Sequence, residues 1–268
     1  MKKGFVIAAV ALILFFTGHA FYFTVAPDKG KTPPDYSESV ALSVPEPTPQ
    51  VSETAKPTPE SSAEPEPEPE PEPYLSPIDF DALWERNEDI YAWMDIPNTP
   101  ISYPVVQSPE DDAYYLRRNS DGDSASIGSL FSEHTYNAND FSDLITVLYA
   151  HHNSNGTMFG NLQSYYSETD AMEKYGQIRV FLPDKELDYE VFAAVPYDNT
   201  HILYWYGAND IRNKRVFQYE ISKIRSMGGC VIDDRFPAPE DPILILSTCL
   251  QGDRKSRFLV LARLIDNQ

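Results

Sequence analysis

Basic residues and cysteine are scarce in this 268-residue sequence, and several common cofactor motifs are missing from it. There are 21 Lys and Arg against 41 Asp and Glu, which gives a formal net charge of −20. Binding to nucleic-acid phosphates requires a basic face, so nucleic acid is not expected as a partner. The sequence has no P-loop, no glycine-rich dinucleotide turn and no HExxH zinc helix. We therefore expect neither a cofactor nor a metal ion.

One long apolar run stands at the N-terminus. Lys2 and Lys3 precede an almost uncharged stretch from Phe5 to about Ala26, and roughly 20 such residues can cross a bilayer. A signal peptide would have a shorter apolar core and a small-x-small cleavage site, so an uncleaved signal anchor over residues 1–26 is favoured. The two lysines place the N-terminus in the cytoplasm. This predicts a single-pass protein of the cell membrane with its folded part outside the cell.

Residues 27–76 have a different composition. They hold 13 of the 23 prolines, contain no Phe or Trp, and end in EPEPEPEPEP. Such a segment buries too little apolar surface to offset its ordering entropy, and alternating Pro and Glu favours extended polyproline II. We interpret it as a disordered spacer, with a tail that has no spacing role as the alternative. A single folded domain is then expected at residues 77–268.

The predicted domain has mostly β-sheet patterning. The segment SPIDFDALWERNEDIYAWMDIP has apolar residues at near-helical spacing, which predicts one or two N-terminal helices. After Pro97, short β-branched and aromatic runs separated by Pro, Gly, Asn and Asp predict strands, and LPDKEL predicts a hairpin turn. Two further helices are predicted in GNLQSYYSETDAMEKY and NDIRNKRVFQYEISKIRSMGG. Many short strands with few helices predict a closed, mostly antiparallel β-barrel.

The two cysteines leave two possibilities. A bridge between Cys230 and Cys249 would suit an extracellular chain. Cys249, however, ends the apolar run ILILST, and only seven residues separate it from Arg257, which opens the next apolar run. If the two runs pair as an antiparallel hairpin, Cys249 and Arg257 lie together at one end. A cysteine nucleophile and a donor for the oxyanion would need that arrangement.

A histidine occupies a position that corresponds to Cys249. His151 ends LITVLYAH as Cys249 ends ILILSTC, so the two side chains would meet at one edge if these strands are parallel. Neighbouring residues of a strand face opposite sides, so His152 points away from His151 and the two cannot easily share a metal ion. The residues thus indicate a site of Cys249, His151 and Arg257. A disulfide between the two cysteines, with Arg257 exposed to solvent, would account for the same sequence pattern.

Several motifs together resemble one family. The segment ILSTC resembles the TLxTC signature of sortases, with Ile245 in place of the first Thr. VLYAHHNSNGTMFGNLQSYY is similar to the class B stretch YGHN followed by MFGxL, with Ala150 and His152 replacing Gly and Asn. AWMDIPNTPISYPVVQ, YYL and IGSLF resemble the approach to the first strands. The chain therefore resembles class B sortases, membrane-anchored cysteine transpeptidases of Gram-positive cell surfaces.

This resemblance implies a fold and a set of site residues. The fold is an eight-stranded sortase barrel, mostly β, with N-terminal helices and a helix inserted before the strand of the catalytic Cys. The resemblance makes Cys249 the nucleophile and His151 the acid/base, while Arg257 binds the substrate backbone or the oxyanion. It places Thr248 at the peptide groove. A reduced Cys249 is required, so no bridge to Cys230 is expected.

The resemblance also implies a reaction. The Cys thiolate attacks the Thr carbonyl in the C-terminal sorting signal of a secreted protein, with an NPxTN-like signal favoured over LPxTG. A thioester forms, and an amine of a peptidoglycan precursor or of a pilin Lys resolves it. Two alternatives are a cysteine peptidase that hydrolyses its acyl-enzyme and a catalytically silent wall-spanning binding module stapled by its two cysteines.

Overall fold

The structure is a computed structural model that describes residues 33–40, 74–199, 202, 223–238 and 240–267. The helices are α1 Phe80–Arg86, α2 Leu162–Tyr165 and α3 Thr169–Lys174. The strands are β1 Ile90–Asp95, β2 Ser102–Val106, β3 Leu130–Phe131, β4 Ile145–Tyr149, β5 Gln177–Phe181, β6 Glu186–Tyr197, β7 Cys230–Val231, β8 Ile243–Leu250 and β9 Asp253–Asn267.

These strands form one sheet that closes on itself. The order is β5-β1-β2-β3-β4-β8-β9-β6-β7, and β5 also pairs with β6. Eight strands therefore make a ring, and the short β7 is added outside the ring along β6. Closure leaves the ring without exposed edges. The predicted eight-stranded, mostly antiparallel barrel is confirmed; β2 with β3 and β4 with β8 pair in parallel.

The strands next to the candidate site are buried on both faces. Leu148, Leu246 and Val260 belong to one apolar cluster, whereas their strand neighbours Val147, Ile245 and Leu259 belong to another. Ile224 also belongs to this second cluster, and Met227 and Phe236 pack against it. Strands covered on both sides carry nearly continuous apolar runs, which explains the composition of ITVLY and ILILSTCL.

The N-terminal end of the domain differs from the prediction. Helix α1 begins after Asp79, whose carboxylate accepts a hydrogen bond from Ala82 N at 3.0 Å, and it ends at Asn87, where the backbone is extended. The second predicted helix is wrong, because residues 90–95 form β1. All six residues of β1 are buried and the strand pairs with both β2 and β5. Barrel pairing on both sides thus outweighs the helical spacing.

The segment 33–40, which falls in the stretch predicted as spacer, packs on the folded domain. Tyr36 is 7% exposed, and its ring meets Trp93 edge-on at 5.6 Å between centroids. Its hydroxyl donates to Ser120 Oγ at 2.6 Å and lies 3.1 Å from Asp121 Oδ1. Tyr36 is therefore a core residue of the domain.

The end of this segment meets the start of the domain. Val40 forms an antiparallel bridge with Ile78, and Asp79 N donates to Ser39 O at 2.9 Å. Residues 41–73 lie outside the described residues. The two described ends that flank this stretch are therefore neighbours in space.

The predicted single-pass placement in the cell membrane is corrected by this structure. Within the ranges that it describes, no helix combines the length and the apolar character needed to span a bilayer. The predicted anchor, residues 1–26, lies outside the described residues. So does most of the predicted helix 209–227, of which residues 223–226 are described and helical.

Candidate active site

The predicted hairpin of β8 and β9 brings a cysteine and an arginine together. Cys249 pairs directly with Arg257, and Arg257 pairs in turn with Tyr197 of β6. Side chains of directly paired residues project from the same face, so these three form a row across the sheet. The Arg257 Nη1 lies 3.9 Å from the Cys249 Sγ. The arrangement predicted from the spacing of the two apolar runs is therefore present.

Strand β4 brings the histidine to the same edge. It runs parallel to β8 with Tyr149 opposite Ser247, and Ala150 N donates to Ser247 O at 3.3 Å beyond the strand end. Continuing this register brings His151 level with Cys249. Because alternate residues share a face, His151 lies on the face of Tyr149, as Cys249 lies on the face of Ser247. The two strands are thus parallel, which is the condition under which the sequence analysis expected His151 and Cys249 to lie at one edge.

The His151 ring is buried and hydrogen-bonded to the backbone. It is 6% exposed, and its Nε2 lies 2.7 Å from the Leu116 carbonyl oxygen. A carbonyl oxygen can only accept, so Nε2 carries a proton in this contact. Burial lowers the pKa of His151 from its usual 6.5, against an opposing effect of the Leu116 bond, and the charge of Arg117 lowers it further. The ring is therefore mainly neutral at neutral pH.

The Cys249 thiol is held in its neutral form. The residue is 8% exposed, and burial raises the pKa of its thiol above the usual 9.0, although the charges of Arg257 and Arg254 act to lower it. Burial likewise lowers the pKa of Arg257, but a guanidinium remains charged in proteins. The resting protein therefore has a neutral thiol at Cys249 and a neutral imidazole at His151, and the form with a thiolate and an imidazolium is a minor one.

The guanidinium of Arg257 has long contacts to the site. Its Nη1 reaches Ser256 O at 3.3 Å, Arg254 O at 3.4 Å and Cys249 Sγ at 3.9 Å. Good N–H···O hydrogen bonds are about 2.9 Å long.

Two further residues on this face were missed by sequence reasoning. Tyr149 and Ser247 lie one strand repeat behind His151 and Cys249. Burial and the carboxylate of Glu133 raise the pKa of Tyr149 well above 10.0, although Arg257 acts to lower it. Tyr149 therefore stays a neutral phenol. Strand alternation was the available signal, since the residues two before His151 and Cys249 must share their face.

Thr248 does not lie with the other predicted site residues. It pairs with Phe258, which belongs to the apolar cluster of Leu246 and Val260, so strand alternation turns its side chain to the face opposite Cys249. Thr248 is 3% exposed, and its Oγ1 has no hydrogen-bond partner among the described residues. The structure thus does not place its side chain in a groove beside the thiol.

The two cysteines are not bridged. Both are free thiols; Cys230 Sγ donates to the Ser167 carbonyl oxygen at 3.0 Å. His152 is half-buried and forms an isolated bridge with Met158. Within the described ranges, no group of three or more His, Cys, Asp or Glu residues is placed to hold a metal ion.

A closed barrel that pairs a cysteine with an arginine, and ends the neighbouring parallel strand next to a histidine, has the groups that acyl transfer through a cysteine requires. The family model described as a sortase domain matches residues 94–265, more than half of the chain. The chain belongs to the sortase family.

The relatives belong to class B. Sortase B of Listeria monocytogenes is 28% identical over 185 residues, which cover 68% of this chain and 72% of that protein. The Staphylococcus aureus sortase B–substrate complex has a TM-score of 0.62 at 25% identity, covering 72% of this chain and 87% of the other. A class B sortase of Streptococcus pyogenes involved in pilus biogenesis has a TM-score of 0.59 at 26% identity, covering 69% and 97%.

Proposed function

We propose that this transpeptidase uses Cys249 as its nucleophile, His151 as its acid/base and Arg257 as the donor to the substrate carbonyl. The supporting observation is the direct cross-strand pair of Cys249 and Arg257, with Nη1 3.9 Å from Sγ and β4 parallel alongside. A nucleophile, a proton carrier and a charged donor at one edge are the groups that acyl transfer requires.

In the first half of the reaction, the Cys249 thiolate attacks the carbonyl carbon of Thr in a sorting signal. The carbonyl oxygen gains negative charge and accepts a hydrogen bond from Arg257. The imidazolium of His151 gives its proton to the amide nitrogen, the C–N bond breaks, and the C-terminal part of the signal leaves as an amine. A thioester joins Thr to Cys249.

In the second half, a primary amine attacks the thioester. His151 removes a proton from the attacking nitrogen, and Cys249 leaves as the thiolate that began the cycle. Protons and charges balance over the two halves, because the proton given to the first amine is recovered from the second. The product is a new amide bond at Thr.

We assign the substrate as a protein with an NPxTN-like C-terminal signal and the acceptor as the amine of a peptidoglycan precursor or of a pilin Lys. The class B relatives support this assignment: the S. aureus enzyme has been solved with a substrate, and the S. pyogenes enzyme is involved in pilus biogenesis. We place the catalytic unit at residues 77–268, joined by the packed segment 33–40.

Product analysis tests this proposal. The protein is incubated with an NPxTN-type peptide, with and without triglycine, and the products are identified by mass spectrometry. We expect cleavage after Thr, a trappable thioester, and preferential ligation to triglycine. Free acid as the main product at saturating triglycine would indicate a hydrolytic peptidase, and no cleavage of any sorting peptide would favour the binding module.

The two cysteines provide a matched pair of variants. Cys249→Ala should abolish cleavage and thioester formation, because no other group described at this edge is a comparable nucleophile. Cys230→Ala removes a free thiol that donates to the Ser167 carbonyl oxygen, and it should leave turnover unchanged. Turnover by Cys249→Ala would refute the assignment.

A further inference from the structure

The His151 ring lies against a glycine that has no room for a side chain. Gly128 has φ +66, and a Cβ built on it would lie 2.7 Å from His151 Cδ2 and 3.1 Å from His151 Nε2. The same atom would lie 3.0 Å from the Leu116 carbonyl oxygen. Both the left-handed backbone and the contact with the ring therefore require glycine at this position.

The second constraint on the His151 ring is its hydrogen bond to the Leu116 carbonyl oxygen. Nε2–H donates to the carbonyl oxygen at 2.7 Å, and this bond can persist whether the ring is neutral or protonated, because Nε2 carries a proton in both forms. The proton that comes and goes is then the one on Nδ1.

Backbone and side-chain hydrogen bonds connect the chain segments that surround the His151 ring. Ser129 N donates to Tyr115 O at 3.1 Å, and Ser129 Oγ donates to Arg118 O at 2.8 Å. These bonds fix the position of Gly128 relative to Leu116. On the other side, the His151 carbonyl oxygen accepts from Phe159 N at 3.0 Å, so the backbone of the histidine is held as well.

We propose that Gly128 and the Leu116 carbonyl form a cradle that positions the His151 ring so that Nδ1 is the nitrogen that transfers the proton. This proposal rests on the role of His151 in the proposed function. Gly128 acts through the histidine and is a positioning residue. Rotation of the ring would take Nε2 away from Leu116 O, so the cradle selects one nitrogen for chemistry.

The tautomer of His151 tests the cradle without any activity measurement. The full chain is labelled with 15N-histidine, and the His151 signals are identified by their loss in His151→Gln. At about pH 8, where a histidine of lowered pKa is neutral, we expect Nε2 to resonate as a protonated nitrogen and Nδ1 as an unprotonated one. The opposite tautomer would overturn the proposal.

A pair of glycine variants tests positioning. Gly128→Ala places a methyl group against the ring, whereas Gly122→Ala introduces alanine at a similar φ of +83 with no atom within 4 Å. We expect Gly128→Ala to lower kcat on the order of 100-fold, as misplacement of a reacting group does, with KM changed less than about twofold. Its His151 signals should shift, while Gly122→Ala should keep the wild-type spectrum and rate.

The outcomes separate the two proposals. Equal rates and unchanged His151 signals in Gly128→Ala and Gly122→Ala would refute the cradle and leave the proposed function intact. Full activity in His151→Gln would refute the catalytic role of His151. The tautomer measured in the wild-type protein would still show how the ring is held. If Gly128→Ala does not fold, the wild-type tautomer decides the question alone.

Discussion

The two halves of the candidate site are held in different ways. Cys249 and Arg257 lie within paired strands, so a regular ladder of hydrogen bonds sets their separation. His151 lies beyond the end of β4, and its ring is held outside the sheet by Leu116, in a short 3₁₀ helix, and by Gly128, in the loop that follows. Strand pairing fixes the first half through local register, whereas the second half depends on contacts between segments distant in sequence. The loop-held half is therefore the one that single substitutions nearby can disturb.

After loss of the Cys249 nucleophile, removal of the loop-held side chain should have the largest effect. We expect His151→Ala to lower kcat/KM by about 10²–10⁴-fold, the usual contribution of general acid–base catalysis. His152→Ala is the matched control, because His152 is half-buried and forms a bridge with Met158. Steady-state ligation assays measure both variants. Equal losses would show that the two histidines share the role.

Loss of the Arg257 side chain, in the ladder-held half, should lower activity slightly less than loss of His151. Arg257→Ala should lower kcat by about 10²–10³-fold, as loss of an oxyanion donor does. Arg254 is exposed and lies in the same strand, so Arg254→Ala controls for the change in charge and should retain most activity. If Arg254→Ala had the greater effect on kcat, the assignment of Arg257 would be wrong.

The pH profile separates the two halves by their ionisation. The thiolate–imidazolium form has the same number of protons as the thiol–imidazole form, so its share is constant between the two pKa values. We expect a kcat/KM plateau with an acid limb below 6.5, set by His151, and an alkaline limb above 9.0, set by Cys249.

A variant can move one limb of this profile and leave the other in place. Arg257 lowers the pKa of the Cys249 thiol. Arg257→Ala should therefore shift the alkaline limb to higher pH and leave the acid limb at the same pH. Initial rates of ligation between about pH 5 and pH 10 measure both limbs. An alkaline limb that does not move would contradict the effect of Arg257 on the thiol.

The smallest effect is expected away from the reacting groups. Tyr36→Phe removes the hydroxyl that donates to Ser120 Oγ at 2.6 Å, which should lower the free energy of unfolding by about 1 kcal/mol. Urea titration measures this change. Tyr114 is 36% exposed, and Tyr114→Phe should leave the midpoint unchanged. An equal loss in both variants would show that the Tyr36 hydroxyl has no special contribution.

The ladder-held half was predictable from sequence. Two apolar runs separated by seven residues specify an antiparallel hairpin, and the hairpin forms with Cys249 opposite Arg257. The matching positions of His151 and Cys249 at strand ends required β4 and β8 to be parallel, and the structure shows that they are. In these cases the pattern of apolar residues specifies the pairing, because only one register of each strand buries its apolar side chains.

The rest depended on tertiary contacts that leave no periodic signal. Gly128 lies in IGSLF and Leu116 in YYL, but nothing in either segment indicates that it contacts His151. The predicted helix at residues 160–175 is divided into α2 and α3. Tyr166, at the division, is fully buried and its hydroxyl donates to Tyr175 O at 2.7 Å. Packing of this ring outweighs the helical pattern.

The packed N-terminal segment determines where the domain would bear a mechanical load. Tyr36 is in the core, and Val40 bridges Ile78, so tension on the chain ahead of residue 33 would reach the domain at Tyr36. A pull on that part of the chain would therefore have to break the contacts of Tyr36 with Trp93 and Ser120 before it acted on the strands of the barrel.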